Sequence, residues 1–167
     1  MYIRFLDPTD AEIYSEIRFR SLLENPEAFL TTYEIQKEKP IETTQQNLQR
    51  TDSKFTLGCF TDNRELVGIV TFMRESNPKI IHKGNVYAMY VAPEFRGKGA
   101  GYALMTRLHD EARQCAGLEQ INLTVVSTNL AAKKLYESVG FTAYGTERNA
   151  MKSNGYYLDD DLMVVRL

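Results

Sequence analysis

Val86-Tyr87-Ala88-Met89-Tyr90-Val91-Ala92-Pro93-Glu94-Phe95-Arg96-Gly97-Lys98-Gly99-Ala100-Gly101 is the stretch on which the fold turns. Its first six residues are apolar throughout, which suits a strand buried on both faces. A loop, Pro93–Gly101, follows. Gly101, Leu104, Met105, Leu108, Ala112 and Cys115 then recur at three- and four-residue spacing, the face of a helix running to about Ala116. Glycines at alternate positions, Gly97, Gly99 and Gly101, let the backbone approach a ligand closely. The first-turn N–H groups from Gly99 to Tyr102 have no intrahelical acceptor and point out of the helix start, where the dipole favours an anion. Arg96 and Lys98 add positive charge beside them. The loop is suited to cradling a pyrophosphate.

Two nucleotide loops have this general form, and neither fits well. A P-loop needs Gly-Lys followed by Ser or Thr, whereas Gly97-Lys98 is followed by Gly99. A dinucleotide fingerprint needs an acidic residue at the end of the next strand, and that strand ends in Ser127-Thr128-Asn129. A glycine-rich turn without a ligand is the remaining alternative.

Outward from this loop, Ile121–Val126 reads as a strand and Asn129–Val139 as a short helix, with Gly140 in the left-handed position that ends it. Phe141–Glu147 and Tyr156–Arg166 read as closing strands. On the other side, Tyr2–Leu6 is a short strand and Asp7–Leu23 a helix, with Asp10 as its cap and Ile13, Tyr14 and Ile17 on one face. Asn25–Pro40 is irregular, and Ile41–Arg50 is a weaker helix. Phe55–Phe60 and Leu66–Met73, separated by Asp62-Asn63, form a hairpin. This order predicts an α/β fold with both strand-pairing senses.

Composition restricts the function classes. The 167 residues are 43% apolar and 25% charged, an ordinary globular composition, with no linker or repeat to divide them, so one domain over residues 1–167 is expected. The formal net charge of −2 disfavours nonspecific nucleic-acid binding. No apolar run approaches the roughly 18 residues of a membrane span, and no signal-peptide core precedes Asp10. Cys59 and Cys115 form no disulfide framework and read as free thiols of a reducing compartment, which makes the cytoplasm the default location. Neither those thiols nor His82 and His109 have metal-ligand spacing, so no metal is expected.

The motif Arg96-x-x-Gly99-x-Gly101, entered through Tyr90-Val91-Ala92-Pro93-Glu94-Phe95, resembles the coenzyme A pyrophosphate motif of the GNAT family of N-acetyltransferases. A second family hallmark is matched by Asn129-x-Ala131-x-x-x-x-Tyr136-x-x-x-Gly140-Phe141, 30 residues on and in the right order. The likeness is strongest from Val86 to Phe141. It implies a GNAT-type mixed, mostly antiparallel sheet flanked by helices, with a splayed central strand pair. The implied reaction is acetyl transfer from acetyl-CoA to an amine, that of a small molecule or a peptide.

The resemblance also implies roles. The backbone of Gly97, Lys98, Gly99, Ala100, Gly101 and Tyr102, with Arg96 beside it, would hold the pyrophosphate. Met89, Tyr90 and Val91 would pair with the pantetheine arm, an N–H near Met89 or Tyr90 serving the developing oxyanion. Asn129 would bond the pantetheine amide, and Tyr136 would face the leaving sulfur. Seven residues apart, the two share a helix face. Without the resemblance, Asn129 is an N-cap and Tyr136 a core tyrosine. Where some relatives carry a glutamate, this chain reads Lys83-Gly84-Asn85-Val86, so the base is open among Glu75, His82, Glu34 and water. The acceptor site would draw on Phe29, Tyr33 and Glu34 from the first region, and on Tyr157, with Tyr156 and Asp159-Asp160-Asp161 beside it, from the last. A homodimer is compatible with the resemblance. The competing readings are a non-catalytic acyl-CoA-binding sensor and a nucleotide-dependent enzyme.

Overall fold

The computed structural model describes residues 1–167. Seven strands form one sheet: β1 (Tyr2–Phe5), β2 (Lys54–Phe60), β3 (Leu66–Arg74), β4 (Lys83–Val91), β5 (Gln120–Val126), β6 (Thr142–Ser153) and β7 (Tyr156–Arg166). Five helices accompany them: α1 (Ala11–Glu24), α2 (Tyr33–Lys37), α3 (Ile41–Leu48), α4 (Ala100–Ala112) and α5 (Leu130–Ser138). The strand order is β1-β2-β3-β4-β5-β7-β6. Every neighbouring pair is antiparallel except β4 and β5. The expected mixed, mostly antiparallel α/β sheet is observed.

Alternation of side chains separates two cores. Val70, Val91, Ile121, Leu123, Val125 and Met163 pack with Leu104, Met105, Leu108 and Ala112 of α4 and with Tyr136 of α5. Ile69, Tyr90 and Phe60 pack with Ala11 and Ile17 of α1 and with Leu48 of α3. Adjacent residues such as Ile69 and Val70 thus serve opposite faces, as a strand requires. The three- and four-residue spacing expected for α4 is realised: Leu104, Met105, Leu108 and Ala112 are all fully buried. The helix ends at Ala112, short of Ala116, and Cys115 lies beyond it.

The central strand pair is splayed. β4 and β5 pair only over Lys83–Asn85 and Gln120–Asn122. From Val86 onward the edge of β4 facing β5 has no strand partner, and a V opens towards the glycine loop. This corrects the expectation that Val86–Val91 is buried on both faces: Tyr87 is 49% exposed because no neighbouring strand or helix covers it. A bulge lies in the same segment. Ile69 pairs with Tyr90 and Thr71 with Tyr87, so Ala88 and Met89 together oppose Val70. Ala88 takes φ +53°, a conformation unfavourable for a residue with a Cβ. The extra residue returns Met89 and Val91 to the α4 face and leaves Tyr90 facing α1.

Several boundaries differ from the sequence expectation. Asp10 does not cap α1 with its side chain. Its carboxylate instead accepts two hydrogen bonds from the Arg4 guanidinium, at 2.6 and 2.7 Å, and one from the Asp7 N–H, so it ties β1 to the helix. Asp7 caps a 3₁₀ turn over Pro8–Asp10. Ile13 is exposed, because the buried face of α1 runs through Ala11, Ile17, Arg18, Ser21 and Leu22. Asn25–Pro40, expected to be irregular, contains a 3₁₀ turn at Pro26–Ala28 and the short α2. β6 continues past Glu147 to Ser153, where Asn154 and Gly155 both take positive φ in a tight hairpin turn.

Asp10 gives a stability test. Its carboxyl is held below the usual range chiefly by the Arg4 hydrogen bonds. The contribution is therefore present above the ordinary carboxylate pKa and lost as pH falls through the depressed one. Asp10→Ala is expected to destabilise the fold by about 2 kcal/mol at neutral pH, since hydrogen bonds to charged groups are worth about 1.5–3 kcal/mol and Arg4 is partly exposed. The gap from the parent should narrow at acid pH in denaturant titrations.

Candidate active site

The glycine loop begins where β4 ends. Gly97 and Gly99 take φ +71° and +85°, and a Cβ built on either meets nothing within 4 Å. The backbone is therefore open to a ligand on that side. Gly99 occupies the N-cap of α4 in the left-handed conformation, and no side chain caps the helix. The first helical N–H with a backbone acceptor is that of Ala103, which donates to Gly99. The N–H groups from Gly97 to Tyr102 donate to nothing, six consecutive donors at a positive helix end. Gly101 has a different task. A Cβ there would stand 3.0 Å from Leu135 and 3.4 Å from Met89, so its absence lets α4, α5 and β4 close together.

Arg96 stands beside this array. Its Nε donates to the Val91 carbonyl at 2.9 Å and its Nη2 to Asn25 Oδ1 at 2.9 Å, while Nη1 has no partner in the chain. Those two bonds brace the loop against β4 and the end of α1. Lys98 lies 5.3 Å from the Phe95 ring centroid, on the exposed outer side of the loop. A further brace escaped the sequence reading. Arg20 forms a two-toothed pair with Glu94 at 2.7 Å and also bonds Glu24, which accepts from the Tyr90 hydroxyl. Burial and then the hydrogen bond it donates to Glu24 push the Tyr90 hydroxyl pKa up. Glu94 lies 74 positions from Arg20 and Tyr90 lies 66 from Glu24, so the bonds that tie α1 to the loop left no local signal.

On α5, Asn129 Oδ1 accepts from the Ala132 N–H at 3.2 Å, so the N-cap reading holds and leaves its amide NH₂ free. Tyr136 is buried, its ring 6.0 Å from that of Phe141, and its hydroxyl has no hydrogen-bond partner within the chain. Burial pushes its pKa up to about 12. The neutral form is thus favoured by folding, fully so below the free-tyrosine pKa near 10, and that advantage is lost as pH rises through 12. Tyr136→Phe is expected to flatten the fall in stability between pH 10 and 12 by about 2–3 kcal/mol, read by denaturant unfolding of both proteins.

The acceptor-side residues are brought together in part. Phe29, Tyr33 and Glu34 line one cavity of about 580 Å³ with Leu22, Pro26 and Met151. Tyr157 does not line it, because it stands exposed on β7 with the Lys152 ammonium 5.0 Å from its ring centroid. The Asp159–Asp161 run lies within β7, the strand expected there. Asp161 binds Lys133, Ser127 and Thr146, and these partners hold its carboxyl down to about 2. Asp159 pairs with Arg148 and accepts the Asn149 N–H. Asp160 Oδ1 is buried without a partner, and burial with the charges of Glu147, Asp161 and Asp159 raises its carboxyl pKa. Of the base candidates, Glu75 accepts from Asn85 Nδ2 at 2.7 Å, at the vertex of the V. His82 precedes β4 on the zipped side, about 26 Å along the strand from Tyr90. No group of three His, Cys, Asp or Glu side chains is placed to hold a metal ion, and no helix is long and apolar enough to cross a membrane.

Comparison with known proteins agrees with this geometry. The model of the Acetyltransferase (GNAT) family matches residues 19–141. The L-methionine sulfoximine/L-methionine sulfone acetyltransferase of Salmonella typhimurium is 36% identical over 81 residues, 48% of this chain and 47% of that one. The L-amino acid N-acetyltransferase AaaT of Escherichia coli is 24% identical over 157 residues, 94% of this chain and 92% of that one. The chain thus spans about half the length of the first relative and nearly all of the second. The structure of yncA from Salmonella typhimurium, a putative acetyltransferase with its cofactor acetyl-CoA, superposes with a TM-score of 0.82 at 26% identity, covering 100% of this chain and 94% of that one. The splayed β4–β5 pair, the uncapped glycine loop and a family match over 19–141 lead to one conclusion: this chain belongs to the GNAT family of acetyltransferases.

Proposed function

We propose that this protein transfers an acetyl group from acetyl-CoA, its cosubstrate, to a primary amine. The observation that carries the reading is the run of six N–H donors without acceptors, Gly97–Tyr102, beside the unpaired edge of β4. Backbone donors at a helix start suit a pyrophosphate. An open strand edge suits an extended amide-bearing arm, which adds to a sheet like another strand. Met89, Tyr90 and Val91 form that edge, and the free amide NH₂ of Asn129 faces the same task from α5.

The neutral amine nitrogen bonds to the thioester carbonyl carbon, the C–S bond breaks to release a thiolate, and the proton that the nitrogen loses on becoming an amide passes to that thiolate to give the thiol. An N–H near Met89 or Tyr90 bonds the carbonyl oxygen as its charge grows. Tyr136 keeps its proton. On the free-group values, near 10 for tyrosine and near 8.5 for a thiol, its transfer to the leaving thiolate is uphill by about 2 kcal/mol, and burial raises both groups in the same direction. It donates a hydrogen bond to the leaving sulfur and stays protonated. The ammonium acceptor loses one proton before attack, and Glu75 at the vertex, acting through water, is the carboxylate that supports this relay. Phe29, Tyr33 and Glu34 form the acceptor wall. Two unpaired cysteines fit a reducing compartment such as the cytoplasm.

The test is calorimetric titration with acetyl-CoA, ATP and NAD, followed by an amine panel. Micromolar binding of acetyl-CoA alone and turnover of at least one amine are expected. Heat with ATP or NAD in place of acetyl-CoA would overturn the reading. Acetyl-CoA binding with no turnover of any amine would leave the sensor reading in its place.

A further inference from the structure

We propose that Arg18 binds a carboxylate of the acceptor, which makes the acceptor class an amine bearing a carboxylate beside its nitrogen, an amino acid. This rests on the transferase reading above and narrows it. Arg18 lies in the middle of α1, on the face turned to the sheet, and is 8% exposed. It is the one arginine among the buried residues. Arg4, Arg20, Arg107 and Arg148 each bond a carboxylate at 2.6–2.8 Å, whereas Arg18 has none. Its single side-chain hydrogen bond is a long one, Nη1 to Ser21 Oγ at 3.4 Å, and that hydroxyl already donates to the Arg18 carbonyl. The only ionisable group that acts on its charge is the Tyr14 phenol, one turn earlier. A buried guanidinium without an anion is costly, and natural proteins ordinarily supply the partner.

The surroundings indicate what is missing. The Arg18 guanidinium carbon lies over the Phe29 ring, 4.4 Å from its centroid, so an aromatic face holds the cation in place. That contact uses none of the N–H donors and leaves the donor fork free. The Nε and Nη2 nitrogens bond nothing in the chain, yet they are not among the sealed, partnerless polar atoms; those are His109 Nε2 and Asp160 Oδ1. Their fork therefore opens to the surface. Phe29 and Leu22, which flank Arg18, also line the acceptor-side cavity. A planar two-oxygen anion matches such a fork with two parallel hydrogen bonds, and a carboxylate is that anion.

The experiment compares, on the intact protein, a panel of L-amino acids with their amides and with the corresponding decarboxylated amines. The best amino acid is expected to exceed its own amide by about fiftyfold in kcat/KM. Arg18→Met should lower kcat/KM for that amino acid by about a hundredfold, mostly through KM, while the rate on the amide and the dissociation constant for acetyl-CoA stay within about twofold. Arg18→Lys should recover part of the loss, since it restores the charge and not the fork. Equal use of amino acid, amide and plain amine by the parent protein overturns the proposal, and needs no variant. So does an equal loss on acid and amide in Arg18→Met, which marks a purely structural post. Turnover of plain amines but of no amino acid overturns this inference and leaves the transferase reading intact. Turnover of no amine at all removes both.

Discussion

Gly99→Ala is expected to raise the dissociation constant for acetyl-CoA by about a hundredfold or more while the fold survives. Gly99 sits at φ +85°, where a Cβ costs roughly 1–2 kcal/mol. A Cβ there touches no other residue, so the substitution has no packing clash to relieve. The loop relieves the strain by leaving the left-handed region, and that rotation disperses the N–H groups on either side. Losing two hydrogen bonds to a charged group, each worth about 1.5–3 kcal/mol, accounts for the predicted effect. Calorimetry with acetyl-CoA gives the affinity, and thermal unfolding should show a fall of only a few degrees. Unchanged affinity in a folded Gly99→Ala protein would mean that the six donors do not hold the pyrophosphate. Arg96→Ala makes an instructive contrast. Arg96 bonds Val91 and Asn25, so its removal loosens the loop and should weaken binding far less than a direct ion pair would.

Tyr136→Phe is expected to lower kcat by about a hundredfold and to leave acetyl-CoA affinity within about twofold. One hydrogen-bond donor aimed at developing negative charge in a protected site is worth about 10²–10³ in rate. The hydroxyl has no partner in the unliganded chain, so removing it breaks no internal bond and should not destabilise the fold at neutral pH. A pKa near 12 keeps the group protonated across the working range. The alkaline side of the pH–rate profile should therefore have the same apparent pKa in both proteins below about pH 11. An unchanged kcat in the folded variant would remove Tyr136 from the chemistry and leave it as a core tyrosine packed on Phe141.

Much of this site is legible within short windows of sequence. The run of apolar residues into Pro93, the alternate glycines and the spacing of Leu104, Met105 and Leu108 each involve neighbours a few positions apart. Local dihedral preferences and helical period translate such patterns directly into a loop and a helix start. The Asn129 cap is of the same kind: it stands just before α5, seven residues ahead of Tyr136 on that helix. Asn154-Gly155 was equally readable as a hairpin turn, which would have carried β6 to Ser153.

Other features depend on contacts between residues distant in sequence. The composition of Val86–Val91 does not say that β5 stops pairing after Asn122; only the family resemblance implied the splay, because an open edge results from how two twisted strands diverge around the rest of the sheet. Ala88 shows no preference for positive φ; the register against Val70 imposes it. Arg96 adds charge to the loop by sequence, and only the fold shows that Val91 and Asn25 also make it a brace. Nothing in the α1 stretch marks Arg18 as buried; the packing of that helix face and the approach of Phe29, eleven residues on, bury it. The strand–loop–helix turn and its free donors follow from residue order, since they arise from covalent geometry and the helical period. Where the sheet stays open and which charged side chains lack a partner follow from the packed fold, since both are outcomes of long-range contacts.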